Sequence, residues 1–400
     1  MEFKFVETFV TSYFHQIIIS SKSLAIGVKL RIRSVLFVRP DYHNSYTLRS
    51  AFRDLGWRSN ILVPHGSVTV WGQPTDEIVQ ARPSASDGTL GTTLNLVAAL
   101  VQYLWLCLRY RVHVHYGRLS YPPTYEESWV RHGWVNGTFH LGLAMAKLLR
   151  TRIVYIPSGC RDEELRQVFE ELDGGTVCGN CGVSVTCDDE ENRRYIDRAN
   201  RYANLSLSLG FFTSTTLQHQ PVRYKVMPLG RNVASNSQVR IVHSHAMATR
   251  VANNKNIKAT PEIEKAMARI TERLPSVEFH SVSGLDHAQL QSLQQRSHIV
   301  IDQLRYGHWG STALEALSNG CVVVCYMRPE WKEHFDQVFS RFPKCPVVSA
   351  TPETLEQVIL GLVSDRQYIR ELQRLGQEFA GQFFCPQEVA FELAEKFAAL

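Results

Sequence analysis

Long hydrophobic runs are missing from this chain. The longest, Leu94–Leu108 (LNLVAALVQYLWLCL), has 15 residues with Asn95 and Gln102 inside it, short of the roughly 20 that span a bilayer. It reads as a buried helix; peripheral contact with a membrane surface, here or through residues 1–30, is the alternative. The first 29 residues are interrupted by Lys4, Glu7, His15, Lys22 and Lys29. They show no clean apolar segment with a small-residue cleavage site, so a secretory signal is not expected. A large excess of one charge is missing too: 43 basic against 38 acidic side chains leave a formal +5 over 400 residues. A general nucleic-acid binder concentrates basic charge on one face, and no such partner is expected here. Internal repeats and low-complexity tracts are absent, and the composition excludes collagen, coiled coil and disorder. Cysteine is sparse and odd in number, nine in all, which rules out a disulfide scaffold and points to a reducing, cytoplasmic compartment.

What is present is enough chain for two or three domains and an alternation of strand-like and helix-like segments. Ser34–Arg39, Asn60–Val63, Val112–Tyr116, Arg152–Ile156 and Leu205–Leu209 read as strands. Their short, continuous apolar character suits strands covered on both faces. Helices are expected over Ser45–Leu55 (closed by Gly56), 93–110 and Leu141–Leu149. After Pro228-Leu229-Gly230 a second series begins: strands Val239–His243, Val277–Phe279, His298–Asp302 and Cys321–Tyr326, with helices Pro261–Arg273, Asp286–Gln295 and Ser311–Ser318 between them. Thr260 stands where an N-cap would, with Pro261 behind it at the first helical position. From Thr351 on, the chain reads as helices over 352–363, 365–380 and from Gln387. Two αβ halves follow, each with a parallel sheet, and a cleft between the carboxyl ends of their strands. The expected division is 1–228, 229–380 and a C-terminal helix in 381–400 that crosses back toward the first half.

The segment His298–Tyr326 (HIVIDQLRYGHWGSTALEALSNGCVVVCY) carries the chemistry. Gly310-Ser311-Thr312 open a helix above the end of a buried strand, so their N–H groups and the helix dipole form a seat for phosphate or diphosphate. Glu315, one turn in, is placed to accept hydrogen bonds from ribose hydroxyls. A glycine turn followed by a solvated glutamate is the plainer reading of the same residues.

With its neighbours, this segment resembles the retaining glycosyltransferases of the GT-B fold, glycosyltransferase family 4 or group 1 type. The motif is Gly307-His308-Trp309-Gly310-Ser311-Thr312-Ala313-Leu314-Glu315-Ala316-Leu317-Ser318-Asn319-Gly320. Upstream, Val242-His243-Ser244-His245-Ala246 and Lys258-Ala259-Thr260 look like the family's strand, loop and Lys-Gly-Thr segment, and Pro228-Leu229-Gly230 its linker. The resemblance spans about 225–330 closely and 34–210 more thinly. It implies an α/β architecture of two Rossmann-like domains facing each other across a cleft. It also implies a nucleotide-sugar donor, an acceptor (glycan, lipid or small molecule) and no catalytic metal. On the donor side it implicates Arg250, Lys258, His308, Gly310, Ser311, Thr312 and Glu315. Many members carry a second glutamate eight positions before the first, and that place falls on Gly307; Ala259 replaces a glycine. No glycine-rich acceptor loop follows Ser34–Arg39, where the chain reads Pro40-Asp41-Tyr42-His43-Asn44. A nucleotide-sugar epimerase and a non-catalytic glycan- or nucleotide-binding protein are the alternatives of the same fold.

His113 and His115 fall on one face of a strand that ends at the cleft. They are core or rim histidines on the plain reading, and the resemblance sets His115 beside the reacting sugar as a catalytic and acceptor-side group. Cys160, Cys178, Cys181 and Cys187 lie within 28 residues, in an insertion at about 160–190. Thiolates so spaced suit a structural tetrahedral zinc; unligated thiols and a redox or disulfide pair stay open. Arg161 is a candidate for binding acceptor or donor phosphate.

Overall fold

A computed structural model describes residues 33–38, 43–63, 78–79, 88–117, 119, 142–162, 164–181, 187–208, 216–218, 220–234, 238–247 and 254–400. Two parallel sheets organise it. The first is formed by β1 (Ser34–Val38), β2 (Arg58–Val63), β3 (Ile78–Val79), β4 (Val112–Tyr116), β5 (Arg152–Ile156), β6 (Leu205–Ser208) and β7 (Gln220–Pro221). Its spatial order is β3-β2-β1-β4-β5-β6-β7. All five residues of β1 and of β4 are buried, because helices cover both faces and no position faces water, which is why these strands read as unbroken apolar runs. Helices α1 (Asn44–Asp54), α2 (Gly88–Arg109), α3 (Arg166–Asp173), α4 (Thr176–Asn180) and α5 (Asp189–Tyr202) belong to this half, and residues 142–148 are also helical.

The second sheet contains β8 (Val239–Met247), β9 (Val277–Leu285), β10 (Ile299–Ile301), β11 (Val322–Val324) and β12 (Val347–Val348) in the order β9-β8-β10-β11-β12. Its helices are α6 (Asn254–Lys258), α7 (Thr260–Arg273), α8 (His287–Gln295), α9 (Ser311–Ser318), α10 (Pro329–Val338), α11 (Leu355–Ser364), α12 (Arg366–Phe383) and α13 (Pro386–Ala399). Strand order reverses between β1 and β4 in one sheet and between β8 and β10 in the other. Crevices for ligands open at the carboxyl ends of strands at such points.

Most expected elements appear within a residue or two. Strands β8 and β9 are nine residues each, longer than their apolar segments, because they pair with each other through a bulged register well past the core. Thr260 is not the N-cap of α7: Ala259 is, in a left-handed conformation with φ 61°. The Thr260 hydroxyl is engaged instead by His243 Nε2 at 2.9 Å. A left-handed backbone costs an alanine on the order of 1 kcal/mol that glycine would not incur.

One apolar cluster runs through both halves. It contains Phe37 and Phe52 of the first, Val226 and Met227 of the connecting segment, and Trp309, Phe335, Phe379 and Phe397 of the second. The C-terminal helix α13 lies on α1, with the Phe52 and Phe397 rings stacked at 5.7 Å. The connection is equally close-fitted at Gly230, where an added Cβ would stand 2.0 Å from Asn319 Oδ1. Among the described residues no helix is long and apolar enough to cross a membrane.

Candidate functional site

The second sheet's switch point is where expected residues converge. The loop after β10 is anchored by Trp309, which is buried and packs at 4.1 Å on Trp331 and at 5.9 Å on Phe335. That anchor fixes Gly310 as the N-cap of α9, with Ser311 and Thr312 in its first turn. No side chain of Gly310 caps the helix, so its first N–H groups remain available to an anion. Lys258, at the end of α6, donates to Asp302 Oδ1 at 3.0 Å and to the Ser244 carbonyl at 2.8 Å. Asp302 Oδ2 in turn accepts from Gly310 N at 3.0 Å. Lysine, aspartate and helix start thus form one unit. Asp302 holds the lysine beside the helix, and its carboxylate is 1% exposed.

A second lysine arrives from the connecting segment. Lys225 Nζ donates to Ser311 Oγ at 2.9 Å, placing another positive charge at the positive end of the α9 dipole. The arrangement favours an anion. His308 is buried beside it and shares its Nδ1 proton with the Trp309 carbonyl at 2.7 Å. Burial, with Lys225 and Arg328 nearby, lowers its pKa to about 3, so this imidazole is neutral at physiological pH and offers no cation to a phosphate.

Glu315 stands one turn into α9, where the first domain reaches the second. His43, the residue before α1, brings Nδ1 to 3.3 Å from Glu315 Oε1. His287, at the start of α8, brings Nε2 to the same oxygen at 3.3 Å. The Nε2–H of His43 donates to the Val226 carbonyl at 3.0 Å, a partner that can only accept. Burial alone would raise the Glu315 pKa. Hydrogen bonding to His287 and His43, and their charge, outweigh it and hold the carboxyl at about 2. The ligand atoms of His43, His287 and Glu315 lie within 4.8 Å of one another. The two rings are nevertheless stacked, 15° from parallel with centroids 4.9 Å apart. Both nitrogens still approach one carboxylate oxygen, an arrangement that suits holding that carboxylate ionised.

Of the other expected residues, His115 is buried in β4 beside His113, their rings 6.3 Å apart, and His113 Nε2 is 3.4 Å from the Leu106 carbonyl. Arg250 lies outside the described residues. Arg161 belongs to a short 3-10 turn, Cys160–Asp162, after β5, and its side chain is outside the description. The four clustered cysteines are not gathered: the one group of three metal-competent side chains among the described residues is that around Glu315. Cys178 sits inside α4, and with Cys160 it packs against Val177 and Tyr306 in a small apolar contact between the halves. The zinc expectation thus finds no donor set among these thiols as they stand. His43, Lys225, His287 and Asp302 were not singled out from the sequence. Asp302, five residues before Gly307 at the end of a buried strand, carried the one usable signal, since an acid there has few partners besides Lys258.

No family model matches this chain, and no curated protein does. Solved structures do. It is similar to sucrose-phosphate synthase from Thermosynechococcus elongatus at 14% identity and a TM-score of 0.55, covering 92% of this chain and 98% of that one. It is similar to Anabaena HepE, solved in complex with UDP-glucose, at 14% identity and a TM-score of 0.51, covering 92% and 100%. A glycosyltransferase from Rickettsia africae ESF-5 aligns at 12% identity with a TM-score of 0.51, over 92% and 98%. The likeness establishes the fold: two Rossmann-like domains of the GT-B type.

Proposed function

We propose that this chain is a glycosyltransferase that moves a sugar from a nucleotide-sugar donor to an acceptor, a glycan, lipid or small molecule, with retention of configuration. The observation that carries the reading is the unit at the start of α9: two lysines, Lys225 and Lys258, and a helix N-terminus on one side, with a buried, ionised Glu315 one turn away. In this reading the diphosphate lies against Ser311, Thr312 and the lysines, with Arg250 joining them, and His308 lines the sugar's side of the loop. Glu315 accepts the ribose hydroxyls. Both histidines engage the same oxygen, Oε1.

Transfer breaks the bond between the anomeric carbon and the diphosphate oxygen, and forms the bond to the acceptor oxygen on the same face. The acceptor's proton passes to the departing phosphate oxygen. Negative charge grows on the leaving group, where Lys225, Lys258 and the α9 dipole stabilise it, the kind of preorganised electrostatics that supplies much of an enzyme's effect. No metal is needed for that step in this scheme. His115 and Arg161 are the acceptor-side residues of the proposal, with peripheral contact to a membrane reserved for a lipid acceptor, and a cytoplasmic location fits a nucleotide-sugar donor.

Titration with UDP-glucose, followed by donor hydrolysis and transfer assays, tests the proposal. Glu315→Ala and Lys258→Ala are each expected to weaken donor binding by about 10-fold or more, the loss of a charge-assisted contact. Unchanged binding and turnover in both variants would overturn the site assignment. One observation favours a second reading, a binding protein without transfer. Gly307 offers no side chain to a donor sugar, and the Arg328 guanidinium fills the space beside it. Donor binding without hydrolysis or transfer to any acceptor would select that reading.

A further inference from the structure

A second polar cavity opens at the carboxyl edge of the same sheet, beyond the donor unit. Its volume is about 380 Å³, within the roughly 300–1,000 Å³ of small-molecule sites. Its walls come from the ends of β10, β11 and β12, with Thr176 of α4 contributed by the other half. Two guanidinium groups line it, Arg305 and Arg328, and so do two carboxylates, Glu330 and Glu353.

The two arginines are built in rather than draped over the surface. Arg305 is oriented by Glu262 Oε1 at 2.7 Å and by the Asn256 carbonyl. Arg328 donates through Nη2 to the Tyr306 carbonyl at 3.2 Å and lies flat against Gly307. That glycine has φ 93°, and a Cβ on it would stand 2.6 Å from Arg328 Nε and 3.0 Å from Nη2. Only a residue without a side chain lets the guanidinium come so close. Arg328 is also the N-cap of α10, and it makes no side-chain capping bond to that helix. Pro329, at the first helical position, has no N–H, and Trp331 N donates to the Arg328 carbonyl at 3.1 Å, so α10 contributes only the positive end of its dipole to this wall. Planar, fork-shaped donors of fixed orientation match carboxylate and phosphate oxygens. Glu353, Tyr326 and Thr351 supply acceptors and donors suited to hydroxyl groups, and Glu330, at the exposed rim, sets a negative charge near the arginines.

We propose that this cavity binds a sugar bearing an anionic group, phosphate or carboxylate, with Arg328 and Arg305 on the anion and Glu353, Tyr326 and Thr351 on the sugar hydroxyls. The binding claim stands on this geometry alone. That such a sugar serves as acceptor, or as the acceptor's nearest residue, rests on the glycosyl-transfer reading above.

The experiment is isothermal titration of the full chain with glucose 6-phosphate, glucuronate, glucose and inorganic phosphate. One or both anionic sugars are expected to bind about 10-fold or more tighter than glucose and than inorganic phosphate, as charge-assisted recognition predicts. The better of the two identifies the anion. Arg328→Gln should lose about 10-fold in affinity for it. Glu330→Gln, an exposed position whose charge opposes the ligand, should gain about two- to threefold, an outcome that misfolding cannot produce. Glucose or phosphate binding as tightly as both anionic sugars would overturn the proposal, as would an unchanged Arg328→Gln or a weakened Glu330→Gln. UDP-glucose titrated into the same proteins separates the two readings. Donor binding with no anionic-sugar binding sinks this inference and leaves the function standing, and the converse result sinks the function and leaves this site.

Discussion

The two sheets reach the cleft with the same geometry and opposite chemistry. Each reverses strand order once, and each presents strand ends at that reversal. At the first sheet's reversal stand the imidazoles of His115, near the end of β4, and His43, after β1, with Asp162 held by Ser158 beside Gly117. At the second sheet's, a lysine, an aspartate and a helix start are locked together. The difference teaches how labour divides. The second half's edge is an ion pair and a helix start held together by its own residues, whether or not the first half is near. Toward this edge the first half brings His43 to Glu315, and that contact exists only when the halves are together.

The sharpest way to break this comparison is at Asp302. Its carboxylate is almost fully buried, pairs with Lys258 and accepts from Gly310 N. Removing one partner of a buried pair leaves an uncompensated charge and costs about 3–5 kcal/mol. Asp302→Ala is therefore expected to lower stability by roughly that amount in denaturant melts of the whole chain. The matching change in the first half, His115→Ala, should cost less, since no charge is stranded. Equal losses would mean that the second half's edge is not held by its ion pair.

The next effect lies where the halves meet. The Glu315 carboxyl is held at about 2 against an ordinary 4.5. A carboxylate whose folded pKa is depressed contributes stability above its unfolded pKa and loses it as pH falls through the folded one. The contribution is thus complete above about pH 4.5 and disappears between there and about pH 2. At 1.36 kcal/mol for each pKa step it is on the order of 3 kcal/mol. Glu315→Gln should flatten the acid limb of the stability curve across that window. His43→Ala should flatten it in part, through its share of the shift. An acid limb unchanged by both would show that the contact between the halves carries no such energy.

How much of this was legible beforehand differs between the halves for a physical reason. Buried parallel strands and amphipathic helices announce themselves through local periodicity, so β1, β4, β5 and α9 could be placed from sequence to within a residue. Gly310, Ser311, Thr312 and Glu315 are consecutive or one turn apart, and a helix start is a local feature, so their place at the opening of α9 is readable as well. His43, Lys225 and His287 were not, because their meaning comes from partners far along the chain: Glu315, Ser311 and Glu315 again. Arg328 is similar, since nothing in the sequence says that Gly307 makes room for it. The cysteine cluster shows the opposite case. Close spacing suggests a shared ligand, while in the structure Cys178 sits in a helix and packs with Cys160 in an apolar contact, and the four thiols do not form one donor group. Short β3, β7 and β12, two residues each, fell below what periodicity can register.

The smallest expected effect concerns which half owns the C-terminal helix. Arg223, in the segment leading out of the first sheet, bridges to Glu392 of α13 at 2.6 Å and to the carbonyls of Gln382 and Phe383 at 3.4 Å. Both charged groups are about one-third exposed, 27% and 30%, so water competes for them and such a pair is worth about 0–1 kcal/mol. The stacked rings of Phe52 and Phe397 lie fully buried in the same contact, and apolar burial of that kind outweighs an exposed ion pair several-fold. A double-mutant cycle of Arg223→Ala and Glu392→Gln should therefore give a coupling under about 1 kcal/mol, falling further in high salt. A coupling of several kcal/mol would mean that α13 is fastened to the first half by charge rather than by its aromatic face.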